Sequence, residues 1–253
     1  MDNIDLNSIL ERNIISKEIE TFLNNYNHRN NICKRGLYIY GDNGIGKTKF
    51  ILNLLKKLDY DVIYYDSSII RNKALIDNIC NNNLSTINVH SLFYEKQKKI
   101  VVVIDDIDTM NHGDKNGIIS LIKLIRVKKT KKQKLENITN NPIICINNKV
   151  NDKKILELMK VCNVFELKSP NNNQLLSIIN NILPDLFVYN SNENSIIKKN
   201  ILNFLNNNLI GINKLIFYKK NNIIYDKFYI ESSNLFYDCN SIKLITKNLL
   251  NKF

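Results

Sequence analysis

The sequence predicts a three-layer α/β domain with a parallel sheet, followed by a small helical domain. Three observations carry this. Short apolar runs alternate with helical patterns between Leu37 and Leu167. One run, Ile100-Val101-Val102-Val103-Ile104, is β-branched throughout, the mark of a strand buried on both faces. The first run, Leu37-Tyr38-Ile39-Tyr40, leads through Gly41-Asp42-Asn43-Gly44-Ile45-Gly46-Lys47-Thr48 into a helix, and that octapeptide fits G-x-x-x-x-G-K-[ST] at every fixed position.

The elements follow in order. Ile19, Phe22, Leu23 and Tyr26 recur at helical spacing behind Ser16, a candidate cap, and residues 27–35 read as a polar loop. Residues 49–57 form the helix after the glycine loop. Asp61-Val62-Ile63-Tyr64-Tyr65 is a second strand, and 71–79 resumes helical spacing. Ile100–Ile104 is the third strand, followed by a helix over 118–125. Pro142-Ile143-Ile144-Cys145-Ile146 is a fourth strand, Ile155, Leu156 and Met159 mark a helix, and Val164–Leu167 a last short strand. After Ser169-Pro170 the pattern is helical: 175–182, then 196–205, then a third helix after Gly211. The tail over 221–253 reads as mostly helix. The predicted domains are therefore 1–169 and 170–253.

Composition narrows the function classes. A formal net charge of +12 suits a polyanionic partner such as nucleic acid, although a chain this rich in Asn, Ile and Lys also reflects biased composition. Arg126-Val127-Lys128-Lys129-Thr130-Lys131-Lys132-Gln133-Lys134 is the densest basic run, fit for phosphates or simply solvated. No stretch is apolar and long enough to span a bilayer, and the start lacks a signal-peptide pattern. An intracellular protein is expected. Five cysteines without a C-x-x-C pair argue against disulfides and zinc.

The chemistry concentrates at strand ends. A glycine turn between strand and helix makes an anion site, because backbone N–H groups converge there and the helix dipole favours negative charge. Three of the chain's seven glycines (Gly41, Gly44, Gly46) sit in this loop. Lys47 would reach the β- and γ-phosphates and the Thr48 hydroxyl would hold Mg²⁺. The expected nucleotide contacts run from Gly41 to Thr48, with Phe50 added from the helix. Asp105, at the end of the third strand, is the second expected Mg²⁺ ligand. Asp106 stands where a residue polarising the attacking water is expected. Asn147 or Asn148 could orient that water or touch the γ-phosphate, and Lys214 could reach it from the helical domain.

In this order the motifs resemble the AAA+ ATPases, and within them the large subunit of replication factor C, over roughly Leu37 to Leu183. Tyr65-Asp66-Ser67-Ser68-Ile69-Ile70-Arg71-Asn72-Lys73 is similar to the family's Asn-Ala-Ser-Asp-x-Arg-x-Lys stretch. Asp105-Asp106-Ile107-Asp108-Thr109-Met110 resembles its Asp-Glu-Val-Asp-Gly-Met run. Gly117–Ile122 follows at the expected place. Pro142–Asn148 resembles the strand ending in the sensor-1 Asn, which assigns that role to Asn148. The resemblance implies a helical lid domain with Lys214 at the sensor-2 position, ATP and Mg²⁺ as ligands, and a hetero-oligomer with other clamp-loader subunits. It also implies a sliding clamp and primer–template DNA as partners, in the nucleus or wherever DNA replicates. Asp106 replaces the family's Glu, which predicts slow hydrolysis: the carboxylate falls back by roughly 1.5 Å, a misplacement able to cost on the order of 10²-fold in rate. The alternatives are another AAA+ replication or checkpoint ATPase, or an ATP-gated scaffold with little turnover.

Overall fold

The computed structural model of the 253-residue chain describes residues 5–27, 34–66, 98–108, 117–127, 130–134, 141–148, 152–182, 198–199 and 201–220. Two compact units emerge, Glu11–Lys168 and a second that joins the residues up to Leu10 to those from Ser169 onward.

Among the described residues, the larger unit holds a five-stranded sheet whose strand pairs are all parallel. Its strands are β1 (Gly36–Gly41), β2 (Tyr60–Tyr65), β3 (Lys99–Ile104), β4 (Ile143–Asn147) and β5 (Cys162–Leu167), in the spatial order β2-β3-β4-β1-β5. The central strands β1, β3 and β4 are apolar on both faces, as parallel strands under two helical layers must be. Alternation sorts their side chains. Leu37, Ile39, Val101, Val103, Ile144 and Ile146 pack with Ile19 and Leu23 of α2 (Asn13–Asn27) and with Ile51 and Leu55 of α3 (Lys47–Lys57). Tyr38, Val102, Ile104, Ile143 and Cys145 pack on the other face with Leu121 and Leu124 of α4 (Gly117–Ile125) and with Ile155 and Leu158 of α6 (Lys153–Val161). The short α5 (Lys131–Lys134) lies between β3 and β4 in sequence.

Several boundaries differ from the sequence expectation. The first long helix starts at Asn13, so Ser16 is no cap: its hydroxyl donates back to the Asn13 carbonyl (2.8 Å) inside the first turn. The helix after the glycine loop begins at Lys47, and β5 begins two residues early, at Cys162, directly after α6. Within the basic run, Lys131–Lys134 is a helical turn, and Lys128 and Lys129 lie outside the described residues. So do the helix expected over 71–79, the family-like residues Ser67–Lys73, Thr109 and Met110, Ile196 and Ile197, and the tail over 221–253. Cys145 and Cys162 are buried free thiols.

The described residues of the smaller unit are mostly helical. Leu175, Ile178 and Ile179 of α7 (Asn172–Ile182) pack with Ile201 and Leu205, and with Ile212 and Leu215 of α8 (Ile210–Lys220). Leu6 and Ile9 of α1 (Leu6–Ile9) join this cluster. A side chain at Gly211 would meet Leu205 Cδ2 at 2.6 Å, so glycine lets α8 start against the preceding helical turn.

Candidate nucleotide site

The site lies at the carboxyl ends of β1, β3 and β4, and strand order explains why. β4 sits between β1 and β3, so the residue after β4 stands between the glycine loop and the carboxylates that follow β3.

The loop is built for close backbone approach. Gly44 and Gly46 have φ of 77° and 80°, which side chains other than glycine rarely adopt. A Cβ on Gly41 would lie 2.3 Å from the Leu167 carbonyl oxygen, so β1 and β5 can meet there only around glycine. Gly46 is also the N-cap of α3. No side chain caps this helix; its first bond is the Phe50 N–H to the Gly46 carbonyl (2.9 Å). The N–H groups of the first turn are left to the loop, an anion-binding arrangement.

Lys47, 8% exposed, points into this cradle. Its Nζ donates to the Gly41 carbonyl (3.2 Å), the Asp42 carbonyl (2.8 Å) and Asn148 Oδ1 (2.9 Å). Burial pushes the ammonium below its ordinary pKa, against the opposing pull of Asp105, Asp106, Asp42 and Asp108. Thr48 Oγ1 donates to Asp105 Oδ2 (2.6 Å). These two oxygens are the pair that could hold a hard divalent cation, which needs only one or two protein carboxylates beside phosphates and water. Asp105 Oδ2 also accepts from the Tyr64 hydroxyl (2.9 Å), and Oδ1 accepts from the Asp106 N–H (2.9 Å). The loop, its lysine and this oxygen pair together fit a magnesium-bound nucleoside polyphosphate.

Asp106 turns the chain away from β3 with φ of 49°, a left-handed conformation that Asp tolerates better than most residues. Burial first, then Asp105 and Asp108, hold its carboxyl above the usual carboxylate range, while Lys47 pulls it down.

Of the two asparagines after β4, Asn148 reaches Lys47. Asn147 is fully buried on the opposite face, where its amide donates to the Tyr38 hydroxyl (3.0 Å) and its Oδ1 receives the Asp108 N–H (3.4 Å). Asn147 therefore braces the turn that carries Asp106. Phe50, on the buried face of α3, is 4% exposed, its ring under the Arg12 guanidinium. Lys214 is an exposed residue of α8 in the other unit.

Sequence reasoning passed over Tyr64 and Arg12. Tyr64 carries no motif, and only the pairing of β2 with β3, Tyr65 opposite Ile104, brings it beside Asp105. Arg12 Nη2 donates to the Ile45 carbonyl in the glycine loop (2.8 Å). Scarcity was its available signal: the chain has five arginines among its 36 basic residues.

Comparison with known proteins agrees with this geometry. The chain is 27% identical over 150 residues to replication factor C subunit 1 of Saccharomyces cerevisiae, a match covering 56% of this chain and 16% of that protein. It is 28% identical over 143 residues to the Drosophila melanogaster protein of the same name, covering 53% of this chain and 13% of the relative. A probable mitochondrial chaperone bcs1 of Schizosaccharomyces pombe is 32% identical over 111 residues, covering 42% of this chain and 22% of the relative. The chain thus matches less than a quarter of the length of each of these relatives. Residues 37–165 match the family described as ATPase family associated with various cellular activities (AAA), and the chain belongs to that family.

Proposed function

We propose that this chain binds ATP with Mg²⁺ and works as a clamp-loader-like subunit, in which ATP binding and hydrolysis drive the placing of a sliding clamp on DNA. The observation that carries the nucleotide reading is the convergence of Lys47, Thr48, Asp105 and Asn148 from three strand ends. The clamp-loader reading is supported by relatives named replication factor C subunit 1. Lys47 would neutralise the β- and γ-phosphates, Thr48 and Asp105 would hold the metal, Asp106 would polarise the attacking water, and Asn148 would orient it. The metal would draw charge from the phosphates. In this reading residues 170–253 act as the lid, Lys214 contributes to γ-phosphate recognition, and other subunits of a hetero-oligomer complete the machine. The +12 net charge suits primer–template DNA as a partner and replication sites as the location.

A second reading, an ATP-gated scaffold, is favoured by one feature: Asp106 is short for its task and holds its proton more tightly than an ordinary carboxyl. Steady-state ATP turnover with and without primer–template DNA, beside Lys47→Ala, separates the two. DNA-stimulated turnover that Lys47→Ala abolishes supports the loader. Tight binding with turnover no higher than the Lys47→Ala control supports the scaffold. Absence of ATP binding refutes both.

A further inference from the structure

Arg12 is a buried cation outside the phosphate loop motif. It is 5% exposed, and burial alone lowers its pKa to about 10. Among the described residues no carboxylate pairs with it. A charge removed from water without a counterion is costly and calls for a compensating role. Two contacts define its position. Nη2 donates to the Ile45 carbonyl (2.8 Å), and the guanidinium lies over the Phe50 ring, 5.6 Å from its centroid.

Both contacts act on the glycine loop. A peptide group is planar and trans, so its C=O and N–H point in opposite directions. Pinning the Ile45 carbonyl therefore aims the Gly46 N–H the other way. Gly46, at φ 80°, is the residue whose conformational freedom would otherwise let that peptide rotate. Phe50 supplies the flat surface for the guanidinium, and its own N–H makes the first bond of α3, to the Gly46 carbonyl. At its other end Arg12 is anchored by the backbone: its carbonyl accepts the Ser16 N–H (2.9 Å) at the start of α2. One side chain thus links the starts of α2 and α3 and holds the peptide between Ile45 and Gly46.

We propose that Arg12 is a positioning residue for nucleotide binding: its guanidinium, braced on Phe50, pins the Ile45 carbonyl so that the loop is set for phosphate before nucleotide arrives. The inference rests on the phosphate-site reading above. A preset loop loses less freedom on binding, so the effect falls on affinity more than on the chemical step.

The test is equilibrium titration of the full chain with a fluorescent ATP analogue and Mg²⁺, at a temperature where circular dichroism shows every variant folded. Wild type is compared with Arg12→Met, Arg12→Lys and Lys47→Ala. Loss of one charge-assisted bond predicts affinity about tenfold weaker in Arg12→Met. Arg12→Lys keeps the charge and one donor but not the planar stack, and should recover part of the loss. Equal affinity of Arg12→Met and wild type overturns the proposal. If Arg12→Met does not fold, Arg12→Lys decides alone: wild-type affinity overturns the proposal, and a loss of about threefold or more supports it. Failure of wild type to bind, or binding that Lys47→Ala leaves intact, overturns the phosphate-site reading itself, which is a different result.

Discussion

Replacing Asp106 with Asn should make the protein more stable and less active. Asp106 shares one turn with Asp105 and Asp108, and Lys47 is the cation that pulls against them. Burial and this like-charge cluster hold its folded-state pKa above the ordinary value of 3.8. The folded protein therefore binds that proton more tightly than the unfolded chain does. The ionised carboxylate destabilises the fold at neutral pH, and the penalty fades as pH falls through the raised pKa. Asn removes the charge, nearly keeps the shape, and suits the left-handed backbone at φ 49° at least as well. Asp106 is only partly buried, so solvent screening limits the gain to about 0.2–1 kcal/mol, the scale of exposed charge interactions. For a chain of this size that is a rise of roughly 0.4–4 °C in melting temperature. Thermal melting of nucleotide-free wild type and Asp106→Asn, at neutral pH and in a mildly acidic buffer, measures it. The difference should shrink in acid, while ATP turnover by the variant falls to background. A lower melting temperature at neutral pH, or a difference that grows in acid, would refute the account of Asp106 as a charged group held at a structural cost.

Other substitutions separate neighbouring residues by role. Tyr64→Phe removes one of the two hydroxyls on Asp105 Oδ2 and should raise the Mg²⁺ concentration for half-maximal nucleotide binding by about tenfold, with metal-free binding unchanged. Asn147→Ala should lower stability in urea by about 1–3 kcal/mol, because the buried Tyr38 hydroxyl loses its partner, whereas Asn148→Ala should leave stability nearly unchanged and reduce turnover. Gly41→Ala places a methyl 2.3 Å from the Leu167 carbonyl oxygen and should cost about 1–3 kcal/mol in urea unfolding; a loss under about 0.5 kcal/mol would mean that β1 and β5 separate easily.

Local chemistry alone determined a good part of this protein. The glycine loop is legible because φ near 80° at Gly44 and Gly46 and close approach at Gly41 admit little but glycine. The central strands β1, β3 and β4 are legible because parallel strands buried on both faces must be apolar without interruption, as Val101–Val103 and Ile143–Ile146 are. Thr48 and Asp105 could be paired because the motif requires a partner at a strand end. The start of α2 was not legible: Asn13, Ser16 and Arg12 all offer local polar contacts, and the bond from Ser16 N–H to the Arg12 carbonyl, rather than a capping hydroxyl, sets the boundary. Strand order and the facing of side chains were decided only by the tertiary structure. Asn147 and Asn148 are chemically identical, and alternation says only that they face opposite ways. Packing of α3 on the face of Ile144 and Ile146 is what turns Asn148 to Lys47 and buries Asn147 against Tyr38. Tyr64 and Arg12 touch the candidate site for the same reason. Each acts on a residue distant in sequence, Asp105 or Ile45, and contacts between separated segments exist only once the sheet is assembled and its helices are laid on it.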